Sequence, residues 1–323
     1  MTHIAQPDIR ENIVTLDINA YYLTSKPAAL LEQVETTMLQ ALQSATHFSI
    51  TGSDSIQEAA LYHLRSGGQR LRARLALGAA QAIGLKESDC ITIAAAIELL
   101  HNASLIHDDL QDGDQYRRGN ESVWSKFSKN LAICCGDLYL STSYATLANI
   151  SHTAVLPALF QLVHKRVAEA VLGQCADLTI TPEQITLNAY IEVVKAKSGA
   201  LLSLPMEMVF TLGGQDNYID LAKQACMDFA VGFQIYDDLR DMNTDVSQES
   251  GIIKGPERLN IVSIFTNLNH GLIDATHPVT AAKLMALEHL QRSEDMLSTL
   301  PTRSGLLLQE CCINIRCQLN ELI

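Results

Sequence analysis

Leu99-Leu100-His101-Asn102-Ala103-Ser104-Leu105-Ile106-His107-Asp108-Asp109-Leu110-Gln111-Asp112 is the stretch on which the fold turns. Its apolar residues recur at three- and four-residue spacing, the period of a helix rather than a strand. The run is apolar on more than one side, which suits a helix inside a core. It then ends abruptly in acid. A second stretch repeats the design: Gly232-Phe233-Gln234-Ile235-Tyr236 leads into Asp237-Asp238-Leu239-Arg240-Asp241, with Asp245 four residues further on. Both endings have the form DDxxD.

Working outward, the same period recurs almost everywhere. Apolar helical runs are expected at 28–47, 54–65, 70–84, 88–112, 130–149, 155–176, 183–197, 199–212 and 216–243, with further runs at 258–272, 279–297 and 304–322. Asp54, Ser88, Thr181-Pro182-Glu183 and Asp216 read as helix starts. Ile13-Val14-Thr15-Leu16 is the one brief strand candidate. The expectation is an all-α fold: a separate N-terminal arm over 1–27, then a single helical domain over 28–323. The polar segment 242–258 reads as a long functional loop. No fixed-period repeat is visible, which weighs against a solenoid.

Composition agrees. The chain has 323 residues, of which 47% are hydrophobic and 18% charged, enough to bury a large core and too apolar for disorder. Lys and Arg number 23 against 36 Asp and Glu, a net charge of −13. That balance gives no electrostatic footprint for nucleic acid or for an anionic membrane. No uninterrupted apolar stretch of about 18 residues stands out, so no membrane span is expected. The eight cysteines form no CxxC pair and mostly sit in apolar runs, so they read as reduced thiols of a cytoplasmic protein. The start Met1-Thr2-His3-Ile4 carries no secretory pattern.

The aspartates carry the chemistry. Residues i and i+4 share a helix face, so Asp108 projects with Asp112 and Asp237 with Asp241. Like charges so placed repel and weaken their helices unless something neutralises them. A hard divalent cation does so: Mg²⁺ prefers carboxylate oxygens, keeps waters and takes its remaining ligands from substrate phosphates. The bland alternative for one motif is a solvated helix end. Two copies, each closing an apolar helix, point instead to an apolar pocket with a metal-binding mouth. Arg117-Arg118-Gly119 follows the first motif, and Gly67-Gly68-Gln69-Arg70-Leu71-Arg72 precedes it. An RRG alone is an ordinary exposed turn; beside DDxxD its guanidinium forks suit a diphosphate.

Taken together these elements resemble the trans-isoprenyl diphosphate synthases, the polyprenyl synthetase family. The resemblance rests on Gly67–Arg72, on Glu98, His101 and Ser104 to Asp112, and on Arg117-Arg118-Gly119. It continues through Gly136-Asp137-Leu138-Tyr139-Leu140, Gly173-Gln174, Lys197-Ser198-Gly199-Ala200-Leu201 and Gly232 to Asp241, covering roughly 50–245. It implies a helical bundle around a deep apolar cavity, a homodimer, and condensation of an allylic prenyl diphosphate with isopentenyl diphosphate. Carried over by position, Asp108, Asp112 and Asp237 are the main Mg²⁺ ligands, with Asp109, Asp238 and Asp241 in support and three ions present once diphosphate is bound. Arg117, Lys197, Ser198 and Gln234 correspond to allylic diphosphate contacts. Arg72, His101 and Arg118 correspond to isopentenyl diphosphate contacts. Lys197, Gln234, Asp108 and Asp237 are the residues assigned to catalysis, while His107 reads as packing or as a support behind the metal ligands.

The chain departs from the family at two functional points. Gln69 stands where a lysine usually binds isopentenyl diphosphate; an amide donates hydrogen bonds but carries no charge. No GKxTLP segment follows the second motif, which leaves Lys254 and Arg258 as basic residues available for the leaving diphosphate. These losses keep two alternatives open: a terpene cyclase or atypical prenyltransferase, and a non-catalytic partner subunit. Retention of Arg72, His101 and Arg118 argues against a pure cyclase. Product length in the family depends on what blocks the cavity below the first motif. Ala103 and Ser104 are small, and Leu99 and Leu100 lie one turn further as a floor, so a product of C20 or longer is expected.

Overall fold

A computed structural model describes residues 25–47, 52–181, 184–245, 260–269 and 278–322. Residues 1–24 of the N-terminal arm, Ile13–Leu16 among them, and Lys254 and Arg258 lie outside the described residues, while 25–27 open the first helix. The rest is all-α: thirteen α-helices, short 3₁₀ and π turns, and one two-residue β-hairpin among the described residues. The chain divides into two compact units, one up to Phe160 and the other from Gln161.

The first unit holds α1 (Ser25–Ala45), α2 (Ser53–Arg65), α3 (Leu71–Ala82), α4 (Glu87–Asp112), β1 (Tyr116–Arg117), β2 (Asn120–Glu121), α5 (Val123–Lys126) and α6 (Lys129–Leu147). The axis of this unit is α4. Ile93 to Leu100 are buried without a break, so the helix has no solvent face there. Ala94, Ala95 and Ala96 keep that surface small and let α3 and α6 approach closely. Fully buried Leu99 and Ile106 each contribute about 1.5–3 kcal/mol. By length and composition α4 could cross a membrane, but 78% of its apolar window is buried inside the protein, as in a core helix. Its start is tied down by buried Asp89, which accepts from Ser151 N at 2.9 Å and Ser151 Oγ at 2.6 Å. Its end is set by Gly113, whose φ of 71° places it in the left-handed region.

The second unit holds most of α7 (Leu156–Thr179), then α8 (Leu187–Val194), a π turn (Lys195–Gly199), α9 (Ala200–Leu212), α10 (Ile219–Asp245), α11 (Ile261–Asn269), α12 (Pro278–Ser298) and α13 (Leu306–Glu321). Its axis is α10, packed chiefly against α12 and α9. Gly232 makes the α12 contact possible, since a Cβ there would lie 2.6 Å from Leu290 Cγ. Ser293 Oγ donates to Ala225 O at 2.8 Å across the same seam. A buried ion pair braces α7 on α9: Arg166 donates Nε to Glu207 Oε1 at 2.7 Å and Nη2 to Oε2 at 2.5 Å.

Three expectations need correction. The helix expected to start near Thr181-Pro182-Glu183 begins later, with Thr186 as cap: its side chain accepts from Ala189 N at 3.1 Å. The runs 183–197 and 199–212 are not separated by a break; a π turn joins α8 to α9. The long loop expected from 242 starts later, because α10 continues to Asp245; 246–259 lie outside the described residues.

Candidate active site

In the first unit, Asp108 and Asp112 lie half-buried on the last turns of α4, as their spacing requires. Asp109 between them is turned inward and is 1% exposed. Arg117 donates Nε to Asp109 Oδ1 at 2.8 Å and Nη2 to the same oxygen. Burial pushes the Asp109 carboxyl up to about 6, against the pull of Arg117. Its Oδ2 is buried with no hydrogen-bond partner among the described residues.

Arg117 reaches Asp109 from the hairpin. Tyr116 pairs with Glu121 and Arg117 with Asn120, leaving Arg118 and Gly119 as the two turn residues. Both have positive φ, 55° and 75°, as a tight two-residue hairpin turn of matching twist demands. The RRG is therefore a built turn with a half-buried Arg117 rather than an exposed loop. Arg118 carries on to the glycine pair before α3: Nη1 donates to Gly67 O, and a Cβ on Gly68 would lie 2.6 Å from the Arg118 Cζ. Gly68 leaves room for a guanidinium.

Arg72, on the first turn of α3, donates Nη1 to His101 Nε2 at 2.9 Å. Burial, followed by the charges of Arg72, Arg118, Arg117 and Arg70, holds the His101 pKa well below its usual value. His101 is thus a neutral ring within a cluster of four guanidinium groups, in a chain whose net charge is −13. Beside it, His63 Nε2 bonds Asn102 Oδ1 at 3.0 Å, and Asn102 Nδ2 donates to Glu98 O at 2.6 Å. Burial, with the charges of Arg118, Arg117 and Arg70, brings His63 down to about 3. Gln69 lies half-buried in the loop before α3. Leu99, Leu100 and Ala103 are buried, while half-buried Ser104 turns its Oγ back to His101 O at 2.8 Å. His107 packs on α6, where a Cβ at Gly136 would meet its ring at 2.2 Å.

In the second unit the arrangement is parallel but differently built. Asp237 and Asp241 are half-buried, and Asp238 is 7% exposed. Asp238 accepts from Tyr190 Oη at 2.9 Å, Ile261 N at 3.0 Å and Gln234 Nε2 at 3.0 Å. Burial pushes its carboxyl up to about 6, and burial also raises the Tyr190 hydroxyl well above its usual value. Asp237 pairs with Arg240 one turn on, at 3.1 Å. Lys197 projects from the π turn, and its Nζ donates to Asp177 Oδ2 at 2.6 Å. Such turns widen a helix locally and re-aim side chains. Gly173 is required beneath it, since a Cβ there would lie 2.4 Å from Lys197 N. Ser198 is half-buried in the same turn.

Sequence reading missed three participants, Asp177, Tyr190 and His63, and gave Glu98 a place in the motif but no role. Glu98 had a signal, as the one charged residue in the apolar run Ile91–Ile106. Tyr190 had none, because its partner lies 48 residues away.

The donor set suits a hard cation. Each motif offers two half-buried carboxylates on one helix face. That is an incomplete shell, of the kind Mg²⁺ fills with waters and phosphate oxygens.

The family described as polyprenyl synthetase matches residues 53–253 of this chain. The chain is 30% identical over 211 residues to a geranylgeranyl diphosphate synthase of Methanosarcina mazei, covering 64% of this chain and 65% of that protein. It is 27% identical over 298 residues to a farnesyl diphosphate synthase of Bacillus subtilis, covering 90% of this chain and 97% of that protein. Among solved structures, a decaprenyl diphosphate synthase from Rhodobacter capsulatus superimposes with a TM-score of 0.77 at 20% identity, covering 94% of this chain and 98% of that one. At that identity the likeness is one of fold.

Proposed function

Because the chain belongs to the polyprenyl synthetase family, we propose that this trans-prenyltransferase joins an allylic prenyl diphosphate to isopentenyl diphosphate. The observation that best supports the reading is a pairing within the first unit. A carboxylate face, Asp108 with Asp112, sits on the same helix as His101, which accepts a hydrogen bond from Arg72 and feels the charges of Arg118, Arg117 and Arg70. Carboxylates call for a divalent cation, guanidinium groups for phosphate.

In this reading Asp108, Asp112 and Asp237 hold Mg²⁺, supported by Asp109, Asp238 and Asp241. Bound Mg²⁺ supplies Lewis-acid stabilisation to the departing diphosphate. Lys197 and Ser198 on the π turn, with Gln234 and Arg117, orient the allylic diphosphate. Arg72, His101 and Arg118, with Gln69, hold isopentenyl diphosphate. The neutral ring of His101 suits this role, because it adds no positive charge to the guanidinium cluster and leaves Arg72 in place by accepting its hydrogen bond. An apolar cavity below Asp108 takes the growing chain and excludes water from the carbocation-like centre. The allylic C–O bond breaks, the isopentenyl double bond attacks, and a proton leaves to the released diphosphate. Lys254 is assigned to that diphosphate as well. The eight cysteines are free thiols, in keeping with a cytoplasmic location; the enzyme is assigned as a homodimer on the family resemblance.

The test is incubation with Mg²⁺, isopentenyl diphosphate and C5, C10 or C15 allylic diphosphates, each also supplied alone, with products identified by mass spectrometry. A longer diphosphate that needs both substrates is expected, C20 or longer. A hydrocarbon or alcohol from an allylic substrate alone would replace elongation by cyclisation; no turnover would favour a partner subunit. Ala103→Phe should shorten the product, by filling the turn below Asp108. An unchanged product would remove Ala103 as the determinant.

A further inference from the structure

We propose that Glu98 is a positioning residue: its carboxylate caps the start of α3 and so holds Arg72 against His101. The proposal rests on the reading of Arg72 and His101 as contacts for isopentenyl diphosphate.

Helix α3 begins without a cap of its own. The residue before it, Arg70, has φ 53° and ψ 37°, makes no side-chain cap, and the first turn contains no acid. Left-handed backbone at a non-glycine residue persists only where its surroundings hold it. Glu98 supplies that hold from α4. Its Oε1 accepts the N–H of Ala73 at 2.9 Å, and its Oε2 lies 3.9 Å from Arg70 Nη1. Arg70 is further fixed by Glu35 at 3.3 Å and by donation to Leu64 O at 3.2 Å. A carboxylate at a helix N-terminus satisfies an orphan N–H and meets the positive end of the helix dipole. Glu98 is 2% exposed, so these donors replace the water its carboxyl oxygens would otherwise bind.

The consequence for the site follows from connectivity. Arg72 is the residue before Ala73, so fixing the Ala73 N–H fixes the backbone from which Arg72 reaches. Glu98 and His101 are three residues apart on one face of α4. Both ends of the Arg72–His101 hydrogen bond are therefore referred to the same turn of α4. Acceptance at Nε2 sets the His101 tautomer with its proton on Nδ1.

The test compares wild type, Glu98→Ala, Glu98→Gln and Arg72→Ala. Isopentenyl diphosphate is titrated calorimetrically into each, KM is measured for both substrates, and the His101 tautomer is read from side-chain ¹⁵N spectra. Glu98→Ala should weaken isopentenyl diphosphate binding and raise its KM about five- to tenfold, the scale of a lost cap. KM for the allylic diphosphate and kcat should stay within about twofold. The His101 spectrum should change from one tautomer to a mixture. Glu98→Gln keeps an acceptor for Ala73 and should retain most of the affinity. Should Glu98→Ala fold poorly, Glu98→Asp, one methylene shorter, should give the same selective loss. A lower melting temperature with unchanged affinity and an unchanged His101 spectrum would make Glu98 merely structural and overturn the proposal. Wild-type affinity in Arg72→Ala would instead overturn the reading of Arg72, while the His101 spectrum would still decide whether Glu98 holds the pair.

Discussion

The two DDxxD motifs share their letters and differ in how the middle aspartate is held. Asp109 is held by a cation, Arg117, delivered by a hairpin eight residues on. Asp238 is held by three neutral donors: a tyrosine hydroxyl from α8, an amide one turn back on α10, and the first backbone N–H of α11. One motif therefore fixes a charged turn in place; the other fastens two helices to a third. In both, the carboxyl is buried and burial raises its pKa to about 6. The comparison teaches that a repeated motif is repeated only on its outer face. The flanking pairs keep their exposure in both, while each middle residue has been taken over by its own unit.

The strongest test of the shared outer face is removal of its charge. Asp108→Ala and Asp237→Ala should each lower turnover by about a thousandfold or more, since each would lose several kcal/mol of leaving-group stabilisation. Chelation of Mg²⁺ should do the same. A mild effect at one motif and a severe one at the other would break the symmetry on which the reading depends.

The middle residues should separate the motifs. Arg117→Ala leaves a buried carboxylate without its cation and should cost about 3 kcal/mol in denaturant unfolding. Equal costs for Arg117→Ala and Tyr190→Phe, the smallest change considered below, would erase the distinction between ionic and neutral anchoring.

Acid should separate them next. His63 is buried and neutral beside the first motif, with its pKa lowered to about 3. Its folded value lies below the ordinary histidine value near 6.5, so between those limits the unfolded chain binds more protons. Stability is then fully present above about pH 6.5 and lost as pH falls towards 3. At pH 5 the loss is about 2 kcal/mol. Amide hydrogen exchange should show it in α2 and α4, and His63→Gln should abolish it. A pH-independent α4 would contradict the neutral His63.

The smallest effect expected is at Tyr190. Tyr190→Phe removes one of three neutral donors to Asp238 and should cost about 1 kcal/mol. Because Gln234 and Ile261 N remain, Asp238 stays anchored and turnover should fall little.

Much of this architecture was legible beforehand. The spacing predicts the long helices closely: it gives 88–112 where Glu87–Asp112 is found, and 279–297 where Pro278–Ser298 is found. Their signal is local, because apolar spacing of three and four residues means a helix whatever it packs on. The short elements were less legible. The hairpin Tyr116–Glu121 has too few residues for a strand pattern, and its turn is set by Arg118 and Gly119 together with the pull of Asp109 and Gly67. The π turn under Lys197 leaves no mark on spacing and depends on close packing at Gly173.

Local spacing suffices to make this chain helical and to put Asp108 with Asp112, and Asp237 with Asp241, on a shared helix face. Four residues is about one helical turn, so the covalent chain alone brings these groups together. Packing alone settled which aspartates would be withdrawn from those faces, that Glu98 would accept the N–H of Ala73, 25 residues earlier, at the start of α3, and that His101 would stay neutral among arginines. Those outcomes depend on which donors packing delivers to a buried acid or ring. A buried charge must find a partner, and the chain does not record locally which distant group arrives.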